Sequence, residues 1–200
     1  MTNGEHFKER YRSGDTPWDK GAPDFNLIDV VTDFPVRSCN ALEIGCGTGS
    51  NAIWLAQNRF EVTGLDLSDI AVKKAAEKAS RMGATCRFLC GDFLQDRIDG
   101  APFGFLFDRG CFHSFGTAGD RRRCAENAAA HLGDAGLWLS LIGNADEARQ
   151  GPGPPQRSAQ DIVVAVEPFF EILLIQSSRF GSGQPKGPRA WRCLLRKRHT

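Results

Sequence analysis

The chain has no Cys-x-x-Cys pair, no apolar run long enough to cross a membrane, and almost no net charge. Each absence removes a class of function. Lys plus Arg number 25 against 24 Asp plus Glu, so there is no general attraction to nucleic acid. The seven cysteines, at 39, 46, 86, 90, 111, 124 and 193, are odd in number and scattered. Cys86 and Cys90 stand four apart on an expected strand, which puts both on one face, but no further ligand pair is near, so no metal site is expected. Such cysteine usage suits a reducing compartment. The first ten residues contain no apolar signal segment. The expectation is a cytoplasmic protein with neither a membrane nor a nucleic-acid partner. Two hundred residues suit one domain with a full core, and a monomer is compatible with all of this.

What is present is an alternation of strand and helix. Strands are expected near 41–44, 62–66, 86–90, 103–108, 137–142, 169–176 and 190–196. One helix should run from its cap at Ser68 to Gly83, another from about Asp120 to Leu132 with a stop at Gly133. A third should open on Ser158-Ala-Gln-Asp161, a capping box with Asp in the Glu position, and end near Pro168. This order predicts an α/β fold with a doubly wound, mostly parallel sheet. About fourteen residues separate the last two strands, too few for a crossover helix, and they include Gly181, Gly183, Pro185, Gly187 and Pro188. The last strand should therefore be antiparallel. Arg189, Arg192, Arg196, Lys197 and Arg198 near the end read as a solvated strand face plus a tail.

Residues 41–49 are Ala-Leu-Glu-Ile-Gly-Cys-Gly-Thr-Gly, and Asp66 ends the next apolar run. Gly45, Gly47 and Gly49 allow a turn that side chains would block. In an open α/β sheet the ligand sits beyond the carboxyl ends of the strands. Asp66 should thus face the glycine turn, where a carboxylate suits a ribose diol. The spacing is Gly-x-Gly-x-Gly rather than the dinucleotide Gly-x-Gly-x-x-Gly, and no Gly-Lys-Ser/Thr follows for terminal phosphates. Glu43 before the turn would repel pyrophosphate and suit a cation. S-adenosylmethionine (SAM) has a ribose, an adenine, an ammonium group and a sulfonium, and no phosphate. The bland alternative is a purely structural strand–turn–helix.

This segment resembles the first motif of the class I SAM-dependent methyltransferases, and Asp66 resembles their ribose-binding acidic residue. The resemblance implies a seven-stranded Rossmann-like sheet and SAM as cofactor, released as S-adenosylhomocysteine. It places Glu43, Gly45, Cys46, Gly47, Asp66 and Leu67 around the cofactor. Asp92 and Phe93 after the third strand would serve the adenine, by its amino group and its ring; a helix cap at Asp92 is the alternative, but the next helix signal is weak. Asp108 ends the fourth strand beside the same site.

Three further segments resemble the thiopurine and thiol/halide methyltransferases, and more distantly the tellurite-resistance methyltransferases. They are Thr16-Pro17-Trp18-Asp19-Lys20-Gly21, Asp108-Arg109-Gly110 and Gly153-Pro154-Pro155. The resemblance implies methyl transfer to a small, soft nucleophile. Residues 1–25 should form a helix and a lid, with Trp18 either covering the cofactor or packing on the domain edge. Asp108-Arg109-Gly110-Cys111 lacks the Pro-Pro-aromatic sequence of base methyltransferases, and no carboxylate metal site is evident. Arg109 could hold an anionic acceptor or pair with Asp108 or Asp19. His113 could act as a base or be oriented by a backbone carbonyl. A thiol acceptor leads; an oxygen or nitrogen of an aromatic metabolite, or a SAM-binding module without catalysis, are the alternatives.

Overall fold

In a computed structural model of the chain, residues 3–34, 36–148, 151, 153–182 and 187–199 are described. Pro152, Gly183 and Pro185 of the turn-rich connections lie outside them, as do Met1 and Thr2 of the expected lid. The order is α1 (Asn3–Ser13), α2 (Phe25–Asp33), β1 (Asn40–Ile44), α3 (Ser50–Gln57), β2 (Glu61–Asp66), α4 (Asp69–Arg81) and β3 (Cys86–Cys90). Then follow β4 (Phe103–Arg109), α5 (Cys111–Ser114), α6 (Ala118–His131), β5 (Leu132–Gly143), α7 (Ala159–Val166), β6 (Phe170–Arg179) and β7 (Arg189–Lys197).

The strands form one seven-stranded sheet in the order β3-β2-β1-β4-β5-β7-β6. β1 pairs in parallel with β2 and β4, β2 with β3, and β4 with β5. β7 is antiparallel to both β5 and β6. The order reverses at β1, which puts the switch point between β1 and β4. Both faces are covered, so the central strands are apolar on both sides. Leu42, Ile44, Leu106, Trp138 and Ile142 pack with Cys124 and Ala128 of α6 and Ile162 of α7 on one face. Ala41, Val62, Phe105, Phe107 and Leu139 pack with Leu27 and Val30 of α2 and Leu55 of α3 on the other.

Local signals set most helix ends. Ser68 accepts from the Ala71 amide, and Ser158 and Asp161 complete the capping box of α7. Two readings change. α6 begins two residues early, because the Thr117 side chain caps it by accepting from the Asp120 amide. Its stop is not Gly133: the chain passes from Leu132 directly into β5, and residues 133–136 are taken up in a register shift opposite Phe103–Phe105, with Ala135 at φ 57°. β7 lies inside the sheet with Cys193, Leu194 and Leu195 buried; Arg196 is exposed and pairs with Glu171, while Arg192 is partly covered and pairs with Asp29.

Candidate active site

The turn after β1 is the hinge of the site. Gly45, Gly47 and Gly49 have φ of 69°, 55° and 80°, all in the left-handed region. The Cys46 amide donates to Leu65 of β2, which ties the turn to the neighbouring strand. Cys46 itself is buried, and its thiol is pushed well up, chiefly by burial. α3 starts immediately beyond Gly49 with no side-chain cap.

Asp66, at the end of β2, spans the turn. One carboxylate oxygen accepts from the Gly47 amide at 2.8 Å, the other from the Ser68 amide at 2.9 Å. Burial raises its pKa and these two bonds oppose the rise. A carboxylate offers about four lone-pair directions, so each oxygen keeps room for a hydroxyl. Leu67 beside it is half-buried.

Glu43 lies on β1, two residues before Gly45. It is 1% exposed, and its Oε1 accepts from the Asn51 side chain at 2.9 Å while Oε2 has no partner. Burial pushes its carboxyl up to about 8, against bonds from the Asn51 side chain and the Ala52 amide. An ionised carboxylate buried with so few bonds would cost several kcal/mol, on the order of the penalty for an unpaired buried charge; keeping the proton avoids that. The group therefore stays neutral near pH 7.

The N-terminal segment covers the turn, and its key residue was missed in the sequence. Tyr11 of α1 is buried, and its hydroxyl lies 2.8 Å from where a Cβ on Gly47 would stand. The Trp18 indole donates to that hydroxyl at 3.0 Å. Trp18 is half-buried, edge-on to Phe7 and Tyr11, with the Arg10 guanidinium 5.0 Å from its ring. Asp19 accepts from the Thr48 hydroxyl at 2.7 Å, and Lys78 donates to the Gly21 carbonyl. A tyrosine on the expected N-terminal helix, seven residues before Trp18, was the available signal.

Beyond β4 the structure rearranges the expected roles. Asp108 is fully buried. Its Oδ1 accepts from the Cys111 and Phe112 amides and its Oδ2 from the Trp138 indole, each at 3.0 Å. Burial lifts its carboxyl to about 6. The side chain is committed to shaping the turn into α5, so its effect on a cofactor is indirect. Arg109 pairs with neither Asp108 nor Asp19. Its Nε donates to Asp24 Oδ2 at 2.7 Å, its Nη1 to the Trp18 carbonyl, and its guanidinium lies 5.1 Å from the Phe180 ring. Asp24 was also missed. It caps α2 and takes the Gly181 amide as well, and its position before Leu27, Ile28, Val30 and Val31 was a legible helix start.

His113 is oriented by an amide. The Gly143 N–H donates to its Nδ1 at 2.8 Å, and its ring stands edge-on to Phe180. A ring nitrogen that accepts carries no proton, so the imidazole is neutral with its hydrogen on Nε2. Arg157 holds the carbonyls of His113 and Phe115, and Arg121 those of Phe115 and Gly116.

On the β3 side, Asp92 closes a turn: it accepts from the Leu94 amide and the Gln95 side chain. Phe93 goes into the core against His131, 5.7 Å between rings, because the turn swings it under the sheet. Among the described residues, no group of three or more His, Cys, Asp or Glu is placed to hold a metal, and no helix is long and apolar enough to cross a membrane.

Residues 41–136 match the family described as a methyltransferase domain. With the glycine turn, Asp66 and the seven-stranded sheet, this match supports a SAM-dependent methyltransferase similar to those of class I, with SAM as its cofactor. Within that class it is similar to thiol methyltransferases. A probable thiol methyltransferase 2 of Arabidopsis thaliana is 29% identical over 184 residues, covering 90% of this chain and 80% of that protein. Thiocyanate methyltransferase 1 of Brassica oleracea is 36% identical over 100 residues, 49% of this chain and 44% of that one. A solved structure concerned with conversion of a disulfide bond into a thioacetal group during echinomycin biosynthesis superposes with a TM-score of 0.82 at 26% identity, covering 98% and 92% of the two chains.

Proposed function

We propose that the protein transfers the SAM methyl group to sulfur in a small molecule. The observation that carries this reading is the Gly143 N–H bonded to His113 Nδ1. It leaves the imidazole next to the β4 turn as a donor, so a phenol or amine that must lose a proton finds no base in it. Sulfur needs none. In-line alignment alone supplies much of the acceleration, up to about 7–11 kcal/mol in favourable intramolecular cases. The sulfur chemistry named for the relatives supports the same choice.

In this reading Asp66 takes the ribose, the turn at Gly45–Gly47 takes the methionine end, and Asp92 borders the adenine. Residues 1–25 act as the lid of a single domain, with Tyr11 and Trp18 meeting the cofactor. Asp66→Ala should then weaken S-adenosylhomocysteine binding by about 2 kcal/mol in calorimetry. Unchanged affinity in a folded variant would remove Asp66 from the site. The acceptor is tested by incubating the protein with SAM and matched sulfur compounds, phenols and amines, reading S-adenosylhomocysteine release. Turnover confined to phenols or amines, abolished in His113→Ala, would replace the sulfur reading by oxygen or nitrogen transfer.

A further inference from the structure

The carboxyl ends of β4 and β5 bring together Trp18, Arg109, Cys111, His113 and Phe180. Arg109 links Trp18 to Phe180, and His113 stands on Phe180. Cys111 lies against the glycine turn: a Cβ on Gly45 would meet its Cβ at 3.3 Å and its Sγ at 3.6 Å. With the cofactor's methionine end over that turn, the acceptor approaches from this cluster. Its charge state follows from what the cluster offers.

It offers an anion very little. Arg109 is 16% exposed, and its charge is matched at 2.7 Å by Asp24, whose side chain is wholly buried. Arg10, stacked on Trp18, is paired with Asp15 at 3.0 Å, and Arg121 and Arg157 are engaged with the backbone carbonyls of residues 113–116. His113 is neutral by its bond to Gly143. The remaining surfaces are aromatic or thiol. A thiolate or halide entering here would exchange its hydration for a neutral His113 N–H and a guanidinium already matched by Asp24. Cys111 shows how the place treats a thiol: burial first, then Asp108, Asp66 and Asp92, hold it protonated.

The same features favour positive charge. Asp66 and Asp108 bias the site toward a cation, and ring faces such as those of Trp18 and Phe180 tolerate one, as Arg10 and Arg109 already demonstrate. We propose that the acceptor is a neutral divalent sulfur, a thioether or disulfide carried on an apolar group, and that the product is its S-methyl sulfonium. This rests on the sulfur reading above and narrows it. The balance is simple. A lone pair of the acceptor sulfur forms the new carbon–sulfur bond, and the cofactor's methyl–sulfur bond breaks with its pair left on S-adenosylhomocysteine. One positive charge passes from sulfur to sulfur, and no proton moves. A site without a base is then no defect.

The test uses the full chain with SAM, a dialkyl sulfide, the matching disulfide, the matching thiol and iodide, between pH 6 and 9. S-adenosylhomocysteine release and the mass of the product are read together. Turnover of sulfide or disulfide at a rate flat across this range, with sulfonium detected, is expected. Thiol turnover that climbs with its own ionisation, or use of iodide while sulfides stay inert, would overturn the proposal and leave sulfur transfer standing. Phenols or amines as the sole acceptors would overturn both. If nothing turns over, the S-adenosylhomocysteine complex is titrated with sulfide and with iodide; failure to bind the sulfide also overturns it. Asp24→Asn frees Arg109 and should raise the use of iodide relative to sulfide by about tenfold or more. Asp24→Ser, which keeps a helix cap, serves if Asp24→Asn does not fold. A folded, SAM-binding variant with no such gain counts against the proposal.

Discussion

At the scale of single residues, the buried carboxyl of Glu43 makes stability depend on pH. Folded Glu43 holds its proton up to about 8, whereas the free side chain loses it near 4.5. Below 4.5 both states carry the proton, and the stabilising contribution is complete. Between the two values only the folded state carries it, so stability declines as pH rises, by about 1.4 kcal/mol per pH unit. Above about 8 the contribution is gone. Glu43→Gln stays neutral throughout, so urea titrations of the cofactor-free protein at pH 5 and pH 8 should differ less than in the parent; equal differences would exclude Glu43 as the source. Gly47 tests the cover. At φ 55°, with the Tyr11 hydroxyl 2.8 Å from a new Cβ, Gly47→Ala should lower SAM affinity by displacing α1. Tyr11→Phe in the same chain removes the colliding oxygen and should restore part of the loss, and no recovery would mean that backbone strain alone is responsible. Residues such as Asp66 and the glycines were legible because their chemistry is local. The partner of Arg109 was not, since Asp24 lies 85 residues earlier.

At the scale of elements, the strands were readable because both faces of the sheet are buried and each strand is a compact apolar run between turn residues. α5 was not readable. Four residues make no helical period, and it exists because Asp108 gathers two amides at its start. The segment from α1 to Gly21 is held to the body by the buried ring of Tyr11 and by polar contacts from Thr48, Lys74, Lys78 and Arg109. Such contacts open at low free-energy cost. Amides of residues 7–21 should therefore exchange faster than those of β1 and β4 in the free protein, and slow down when S-adenosylhomocysteine is bound. Identical exchange with and without it would mean that this cover does not respond to the cofactor.

At the scale of the whole molecule, the cofactor half and the acceptor half are encoded differently. The glycine turn, Asp66 and Asp92 all lie within residues 41–136, the part that matches the methyltransferase domain. Trp18, Asp24, Gly143, Arg157 and Phe180 lie outside it, and meet Arg109 and His113 only through the finished fold. This is why the cofactor could be read from the sequence and the acceptor could not. β6 is made before the strand it needs. Its neighbour is β7, and β7 also separates it from β5. On the ribosome, then, β5 and β6 emerge with open edges, and the sheet cannot close until Lys197 has cleared the exit tunnel. Chains arrested with 189–197 still inside should be cut readily by protease in β6, and chains arrested with a longer tail should resist. The proposed acceptor wall at Phe180, on the link between these strands, is thus completed last, after the cofactor half has had time to form.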